Sequence, residues 1–179
     1  MEKTNILEKM EAHLSKDFTL IKIDLPGHGK SKVYQEIHTV ELMAEKVKEV
    51  IDALKLEKIN LLGHSLGGYV SLAFAEKFPE ILESMTLFFS TTVADDEEKK
   101  AIRKRSIAVI DENFETFVKT SIPNLFSNNE KDILEGKIEL AKNIAKATNK
   151  EGVKAAQLGM AERPNRTEIL ENLDAKILI

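Results

Sequence analysis

Residues 63–67 carry the pattern G-x-S-x-G, and the setting of this pentapeptide restricts the fold more than any other feature of the chain. Residues 59–62 form an apolar run that predicts a β-strand, and residues 69–77 carry the pattern of a helix. Ser65 therefore falls on a strand-to-helix turn, a strained geometry that lifts a serine hydroxyl above the edge of a sheet. The same turn aims the backbone N–H of Leu66 at the place where an oxyanion would form, so Ser65 is a candidate nucleophile.

Small residues around Ser65 fit this interpretation. We expect a side chain at Gly63 or Gly67 to clash with the neighbouring strand and helix. Gly68, which also lacks a side chain, should leave further space between that strand and helix. The side chain of His64 should point away from that of Ser65. A purely structural interpretation stays open, in which Ser65 is a small residue that closes a tight turn between strand and helix.

A second motif, D-x-x-G-x-G-x-S at residues 24–31, directly follows the apolar strand predicted at residues 18–23. Between the two motifs, residues 39–54 place apolar side chains along one face of a helix. With both motifs in this order, the chain resembles the α/β-hydrolase family, in particular its small esterases, lactonases and cofactor-free perhydrolases. The resemblance covers nearly the whole chain and implies that His28 belongs to a structural turn.

The predicted elements alternate in the manner of a parallel sheet until residue 91, after which the chain becomes helical. The predicted strands are residues 18–23, 59–62, 84–89 and 176–179. The predicted helices before the change are residues 5–14, 39–54 and 69–77. We therefore expect an α/β fold, an α/β-hydrolase-like and mostly parallel sheet of about four strands. In domain terms, we predict a partial core at residues 1–91, an insertion of four or five helices at 92–174, and the start of the next core strand at 175–179.

The helical insertion resembles the lid, or cap, of the family. Seven of its apolar side chains would wall an acyl pocket: Phe114, Phe117, Ile122, Leu125, Phe126, Leu158 and Met160. The alternative is that these side chains only pack the insertion onto the core. We expect two or three of the seven to meet substrate.

Acyl transfer by a serine needs a histidine base and an acid, which this fold supplies in the chain order serine, acid, histidine. No histidine follows Ser65, because the four histidines of the chain all precede it: His13, His28, His38 and His64. Asp95 and Asp96 are candidate acids by analogy with a less common family arrangement. Both also open a predicted helix, where acidic side chains are favoured by the helix dipole.

The resemblance also implies parts of a hydrolase on both sides of this chain. Family members have an earlier strand that ends in His-Gly, which would precede Met1, and an acid and a histidine that would follow Ile179. We therefore expect the chain to be the middle of a longer hydrolase. The strands ending at residues 23 and 62 would then lack their shared neighbour, and unpaired strand edges favour self-association.

Composition excludes several classes of protein. The 179 residues carry a net charge of −4 with bases scattered among acids, which offers no basic face to a nucleic acid. There is no cysteine for a disulfide or a thiolate metal site, and no apolar run reaches the ~18 residues of a membrane span. We expect a cytoplasmic protein that needs no metal or organic cofactor.

The resemblance implies a serine hydrolase that acts on a small ester, thioester or lactone through an acyl-enzyme at Ser65. One alternative is a catalytically incomplete or non-catalytic remnant of the same fold that binds a ligand. Another is a C–C bond hydrolase or lyase, which keeps the serine. Haloalkane dehalogenases and epoxide hydrolases place an aspartate at the nucleophile position, and Ser65 argues against both.

Overall fold

Three parallel strands form one sheet in the computed structural model, which describes residues 8–179. The strands are β1 Ile59–His64, β2 Leu82–Phe88 and β3 Lys176–Leu178, in the spatial order β1-β2-β3. His64 is paired with Phe88, so β1 and β2 end side by side at the same edge of the sheet. In open α/β sheets, ligands bind outside this carboxyl edge.

Eight α-helices connect and cover the strands within residues 8–179. They are α1 Glu8–Leu14, α2 Val40–Ala53, α3 Leu66–Lys77, α4 Glu97–Glu112, α5 Phe114–Ser121, α6 Glu135–Lys146, α7 Lys150–Glu162 and α8 Thr167–Asn172. Short 3₁₀ helices occupy Pro79–Ile81, Ile122–Leu125 and Asn128–Glu130. The helices predicted at residues 39–54 and 69–77 are confirmed, although α3 begins earlier, at Leu66. Of the first predicted helix, residues 5–7 lie outside the described residues. None of the described helices is both long enough and apolar enough to cross a membrane.

The core lies where α2 and α3 pack on each other and α3 packs on β1 and β2. Seven of the twelve residues of α3 are buried. The exposed face of this helix is therefore narrower than that of a typical surface helix. The largest fully buried side chains at this junction are Phe74, Met43, Leu72 and Met85. Helix α2 begins at a fixed point because Thr39 Oγ1 accepts the backbone N–H of Leu42. The helix that follows Ser65 therefore belongs to the hydrophobic core, and side chains of the preceding strand pack against that core.

The strand predicted at residues 18–23 does not form, and this prediction is wrong. The segment pairs with no strand of the described chain, and the backbone N–H groups of residues 19–24 donate to no other residue in that part. Its apolar side chains stay partly exposed, with Phe18 at 48% and Ile21 at 45%. A β-strand exists only through hydrogen bonds to a neighbour, and none of the described chain lies beside this segment to supply them. The described sheet therefore has three strands instead of the four expected.

Between β2 and β3 the chain forms the helical insertion, which here means helices α4 to α8. Helix α4 packs on α7, and α5 packs on α4 and α6. Buried apolar side chains come from four of these helices: Ile110 on α4, Val118 on α5, Ile138 on α6, and Ala155, Ala156 and Ala161 on α7. The prediction of four or five helices after residue 91 is confirmed, and the grouping of residues 92–174 as one domain stays a prediction.

Helix α7 contacts the core through its backbone. A Cβ atom added to Gly159 would overlap the carbonyl oxygen of His38, and one added to Gly152 would overlap that of Gly27. The backbone N–H of His38 donates to the carbonyl of Ala155 at 3.0 Å. Only residues without a side chain permit this approach, so α7 lies directly against residues 27–39.

Candidate active site

Ser65 occupies a strained turn at the carboxyl edge of the sheet. Its φ is +49° and its ψ −114°, a left-handed conformation that costs an L-residue free energy. The backbone N–H of Ser65 donates to the carbonyl of Phe88 at 3.0 Å, and its own carbonyl accepts the N–H of Gly68 at 2.9 Å. Ser65 is exposed, so its hydroxyl is open to a molecule at this edge of the sheet.

Two glycines make room for this turn. A Cβ atom at Gly63 would overlap the carbonyl of Gly67 and the hydroxyl of Ser71. One at Gly68 would overlap the side chain of Ser90. The expectation of a clash at Gly67 is wrong, because no heavy atom of the described chain, apart from its chain neighbours and the nearby backbone of its own helix, lies within 4 Å of its Cβ position. Gly67 lies on a face of the first turn of α3 that no other described element covers.

Helix α3 starts immediately after Ser65, at Leu66. The first N–H groups of a helix have no partner inside the helix, and the helix dipole places partial positive charge at this end. Among the described residues, the N–H of Leu66 donates to no acceptor. An anion that forms beside Ser65 would therefore meet an unused donor and a favourable dipole.

The histidines that precede Ser65 have structural partners. His38 is fully buried, and its ring bonds the carbonyl of Pro26 through Nδ1 at 3.1 Å and the N–H of Tyr34 through Nε2 at 3.1 Å. Burial lowers the pKa of His38, which keeps the ring neutral. His28 Nδ1 also lies 3.0 Å from the Pro26 carbonyl. This geometry supports the structural role expected of His28 and leaves neither ring as a base for Ser65.

His64 lies in a small aromatic cluster. Its ring centroid is 5.7 Å from that of Phe88 and 6.3 Å from that of Phe89, and burial lowers its pKa. The ring of Phe89 is 80% exposed, and φ at this residue is +47°, which is unusual for a bulky side chain. This cluster was missed from sequence because it depends on the register of β1 against β2.

The two candidate acids both have other partners. Asp95 is buried between two arginines, with Oδ2 2.5 Å from Arg103 Nε and Oδ1 2.8 Å from Arg163 Nη2. Burial opposes the charge of this carboxyl, but hydrogen bonds from Arg163 and Arg103 outweigh burial and lower its pKa. Asp96 caps α4 by accepting the N–H of Lys99 at 2.7 Å. A catalytic role for either acid stays an untested prediction.

The seven apolar residues proposed as pocket walls fall into two groups. Five belong to α5 and the 3₁₀ helix after it, or directly follow that helix. Among them, the rings of Phe114 and Phe117 stack with centroids 6.2 Å apart. The remaining members of this group are Ile122, Leu125 and Phe126, and Leu125 is 78% exposed. Leu158 and Met160 belong to α7, with Met160 Sδ 3.4 Å from Arg103 Nη1. None of the seven is fully buried, which leaves surface for contact with a ligand.

Two buried arginines were missed from the sequence. The guanidinium of Arg163 lies 3.9 Å from the ring centroid of Tyr69, and its Nε atom has no hydrogen-bond partner among the described residues. Arg166 bonds Glu41 on α2 and Glu76 on α3. No local sequence pattern predicts these arginine contacts, because each joins residues that are far apart in the chain.

A family model described as alpha/beta hydrolase fold matches residues 4–134, which is more than half of the chain. The chain belongs to the α/β-hydrolase family. This confirms the resemblance drawn from the two motifs.

Proteins similar to this chain are named as an esterase, a synthase and a hydrolase. A thermophilic esterase from Thermogutta terrifontis superposes with a TM-score of 0.88 at 32% identity, over 95% of this chain and 63% of that one. A putative 2-succinyl-6-hydroxy-2,4-cyclohexadiene-1-carboxylate synthase of Bacillus subtilis is 28% identical over 91% of this chain and 63% of its own length. A 2-hydroxy-6-oxononadienedioate/2-hydroxy-6-oxononatrienedioate hydrolase of Escherichia coli is 36% identical over 46% of this chain and 29% of its own.

This α/β-hydrolase chain thus spans less than two thirds of the esterase and of the synthase. An uncharacterised protein of Mycobacterium tuberculosis, Rv2715, is matched over only 26% of its length at 33% identity. The similarity shows a hydrolase family and leaves substrate and mechanism to be argued from the site.

Proposed function

We propose that this chain supplies the nucleophile of a serine hydrolase that acts on a small ester, thioester or lactone. The observation that carries the proposal is Ser65, exposed and strained at the end of β1 with α3 starting directly behind it. Ser65 Oγ would attack the carbonyl carbon of the substrate, and the ester C–O or thioester C–S bond would break to release the alcohol or thiol (in a lactone, a hydroxyl that stays on the acyl group). Water would then hydrolyse the acyl-enzyme and release the acid. The esterase name of the Thermogutta relative supports this substrate class.

The oxyanion of the tetrahedral intermediate would be held by the N–H of Leu66. This donor has no partner in the described chain and lies at the positive end of the α3 dipole. Donors that are already fixed before the reaction stabilise developing charge without reorganisation. A second donor would come from outside this strand-to-helix turn, as the family arrangement implies.

The proton of Ser65 needs a base, and the family takes it from a histidine later in the chain than the serine. No histidine follows Ser65 here, and His28 and His38 are engaged by Pro26. We therefore assign the nucleophile and half of the oxyanion hole to these 179 residues, and we assign the role of base to neither His28 nor His38. A chain without cysteine fits our proposal of a cytoplasmic enzyme that needs no disulfide.

The test uses the full-length protein that includes this chain, with p-nitrophenyl acetate as substrate and a fluorophosphonate probe for the nucleophile. Ser65→Ala should lower kcat by roughly 10³-fold or more and abolish labelling. The matched control is Ser84→Ala, which removes a serine from β2 whose hydroxyl bonds Asn60. A Ser65→Ala protein with normal turnover would exclude the proposal.

A second candidate is a C–C bond hydrolase or lyase that uses the same serine. It is favoured by the names of the Bacillus synthase and the Escherichia hydrolase. Hydrolysis of simple esters that exceeds cleavage of a 2-hydroxy-6-oxo dienoate would favour the esterase, and the reverse would favour this candidate. Binding of either substrate analogue without turnover or labelling of Ser65 would favour the non-catalytic alternative.

A further inference from the structure

The last residue of β2 and the residues directly after it bind the peptide groups on both sides of Ser65. The N–H of Ser65 donates to the carbonyl of Phe88 at 3.0 Å. The hydroxyl of Ser90 donates to the carbonyl of Ser65, also at 3.0 Å. With both backbone groups anchored, the direction of the Cα–Cβ bond of Ser65 is set by residues 88–90.

Phe89 brings the Ser90 hydroxyl into this position. It is the first residue after β2, and its φ of +47° turns the chain out of the strand direction. Strain of this kind in a non-glycine residue persists only where surrounding contacts enforce it, and it clusters at functional sites. Here two left-handed residues, Ser65 and Phe89, lie at the ends of adjacent strands.

Gly68 completes the arrangement from the helix side. A Cβ atom at Gly68 would overlap the side chain of Ser90, so the hydroxyl occupies the space that this glycine leaves open. Ser90 is partly exposed, and the carbonyl of Ser65 also accepts the N–H of Gly68. Removal of the Ser90 hydroxyl would therefore leave no buried acceptor without a partner, and stability should change little.

We propose that Ser90 is a positioning residue for the nucleophile, a role that rests on the proposed function of Ser65. Its hydroxyl fixes the carbonyl of Ser65 and thereby the direction in which Oγ points. Small errors in the placement of a reacting group lower the rate of the chemical step far more than they lower binding. The expected signature is a loss in kcat at constant KM.

The experiment compares four full-length proteins with p-nitrophenyl acetate: wild type, Ser90→Ala, Ser90→Thr and Ser84→Ala. Ser90→Ala should lower kcat and the rate of fluorophosphonate labelling about five- to tenfold, the effect of one lost hydrogen bond, with KM and Tm unchanged. Ser90→Thr keeps a hydroxyl and should restore most of the rate. Ser84→Ala removes a serine hydroxyl that bonds Asn60 Oδ1 at 2.6 Å across the same two strands, and should match wild type.

A fourth variant, Ser90→Cys, keeps the shape of the side chain with a weak donor and should behave as Ser90→Ala even if the threonine does not fit. Wild-type kcat in both Ser90→Ala and Ser90→Cys would overturn the positioning role, as would an equal loss in Ser84→Ala. These results are distinct from failure of the proposed function, which would appear as full activity in Ser65→Ala.

Discussion

Gly63 and Gly67 flank the same serine, but their surroundings differ. The space where a side chain would begin is filled at Gly63 by the carbonyl of Gly67 and the hydroxyl of Ser71. At Gly67 that space is open within the described chain. The motif does not distinguish the two glycines, but in the structure a side chain would cost more free energy at Gly63 than at Gly67.

We expect Gly63→Ala to lower the free energy of unfolding by about 3 kcal/mol, because the new methyl group meets a backbone carbonyl that cannot move cheaply. Gly67→Ala is the matched control. It adds the same methyl group within the first turn of α3 and should leave stability unchanged or raise it by up to about 1 kcal/mol, since alanine favours helix. Urea unfolding followed by circular dichroism measures both. Equal losses in the two variants would contradict the contact assigned to Gly63.

At this scale, the residues predicted from sequence are those whose role is local. Ser65 and Gly63 belong to a turn whose geometry is set by a few adjacent residues, so a short motif identifies them. Arg163 was missed because its partners Asp95 and Tyr69 are distant in the chain. Pairs of this kind carry no periodicity, and only the folded arrangement reveals them.

At the scale of elements, the Asp95 carboxylate links α4 to the segment that follows α7. Asp95 precedes α4 and bonds both Arg103, on α4, and Arg163, directly after α7. The Asp95 carboxyl is 2% exposed and that of Asp96 63%, although the two residues are adjacent. Buried carboxylates in such pairs are costly to remove because the arginines are left without compensation.

We expect Asp95→Asn to lower the free energy of unfolding by about 3 kcal/mol at neutral pH. Because hydrogen bonds from the arginines lower the folded-state pKa of Asp95, its contribution is complete above the unfolded pKa of about 4 and is lost as pH falls through the lowered pKa. The difference between wild type and Asp95→Asn should therefore shrink as pH falls below about 4. Thermal unfolding over this range measures it.

Asp96→Asn is the control for this experiment, because asparagine caps a helix about as well as aspartate. Its stability should stay within about 0.5 kcal/mol of wild type at neutral pH. A constant gap between wild type and Asp95→Asn at every pH would show that the Asp95 charge is not the cause.

Helices were predicted well because an amphipathic pattern and a cap are properties of consecutive residues, as in α2 with its cap Thr39. The strand at 18–23 was predicted from the same kind of local pattern and is absent. Its apolar side chains have strand propensity, but pairing depends on a neighbour that consecutive residues do not encode.

For the molecule as a whole, the unpaired edges have a consequence in solution. Residues 19–23 and the free edge of β1 present backbone donors and acceptors without partners in the described chain, beside exposed apolar side chains such as Ile21. Exposed edges of this kind pair with other chains. We propose that the 179-residue polypeptide, expressed alone, associates with a second copy of itself through these edges.

Size-exclusion chromatography with light scattering should show dimers or larger species for the 179-residue polypeptide. Ile21→Lys places a charge at the unpaired segment and should shift the population towards monomer. Ile133→Lys is the control, since Ile133 is 84% exposed but lies in the helical insertion, far along the chain from the edges. A monodisperse wild-type monomer, or equal effects of the two lysines, would refute association through the edges.

The position of β3 in the chain also determines when the sheet is completed during synthesis. β1, α3 and β2 follow one another closely, so their contacts form over short chain separations. β3 pairs with β2 only after residues 89–175 have been made, nearly half of the chain. At usual translation rates the second edge of β2 is therefore bare on the ribosome for roughly 5–15 s. During that interval the nascent chain depends on dilution or chaperones to keep this edge from mispairing.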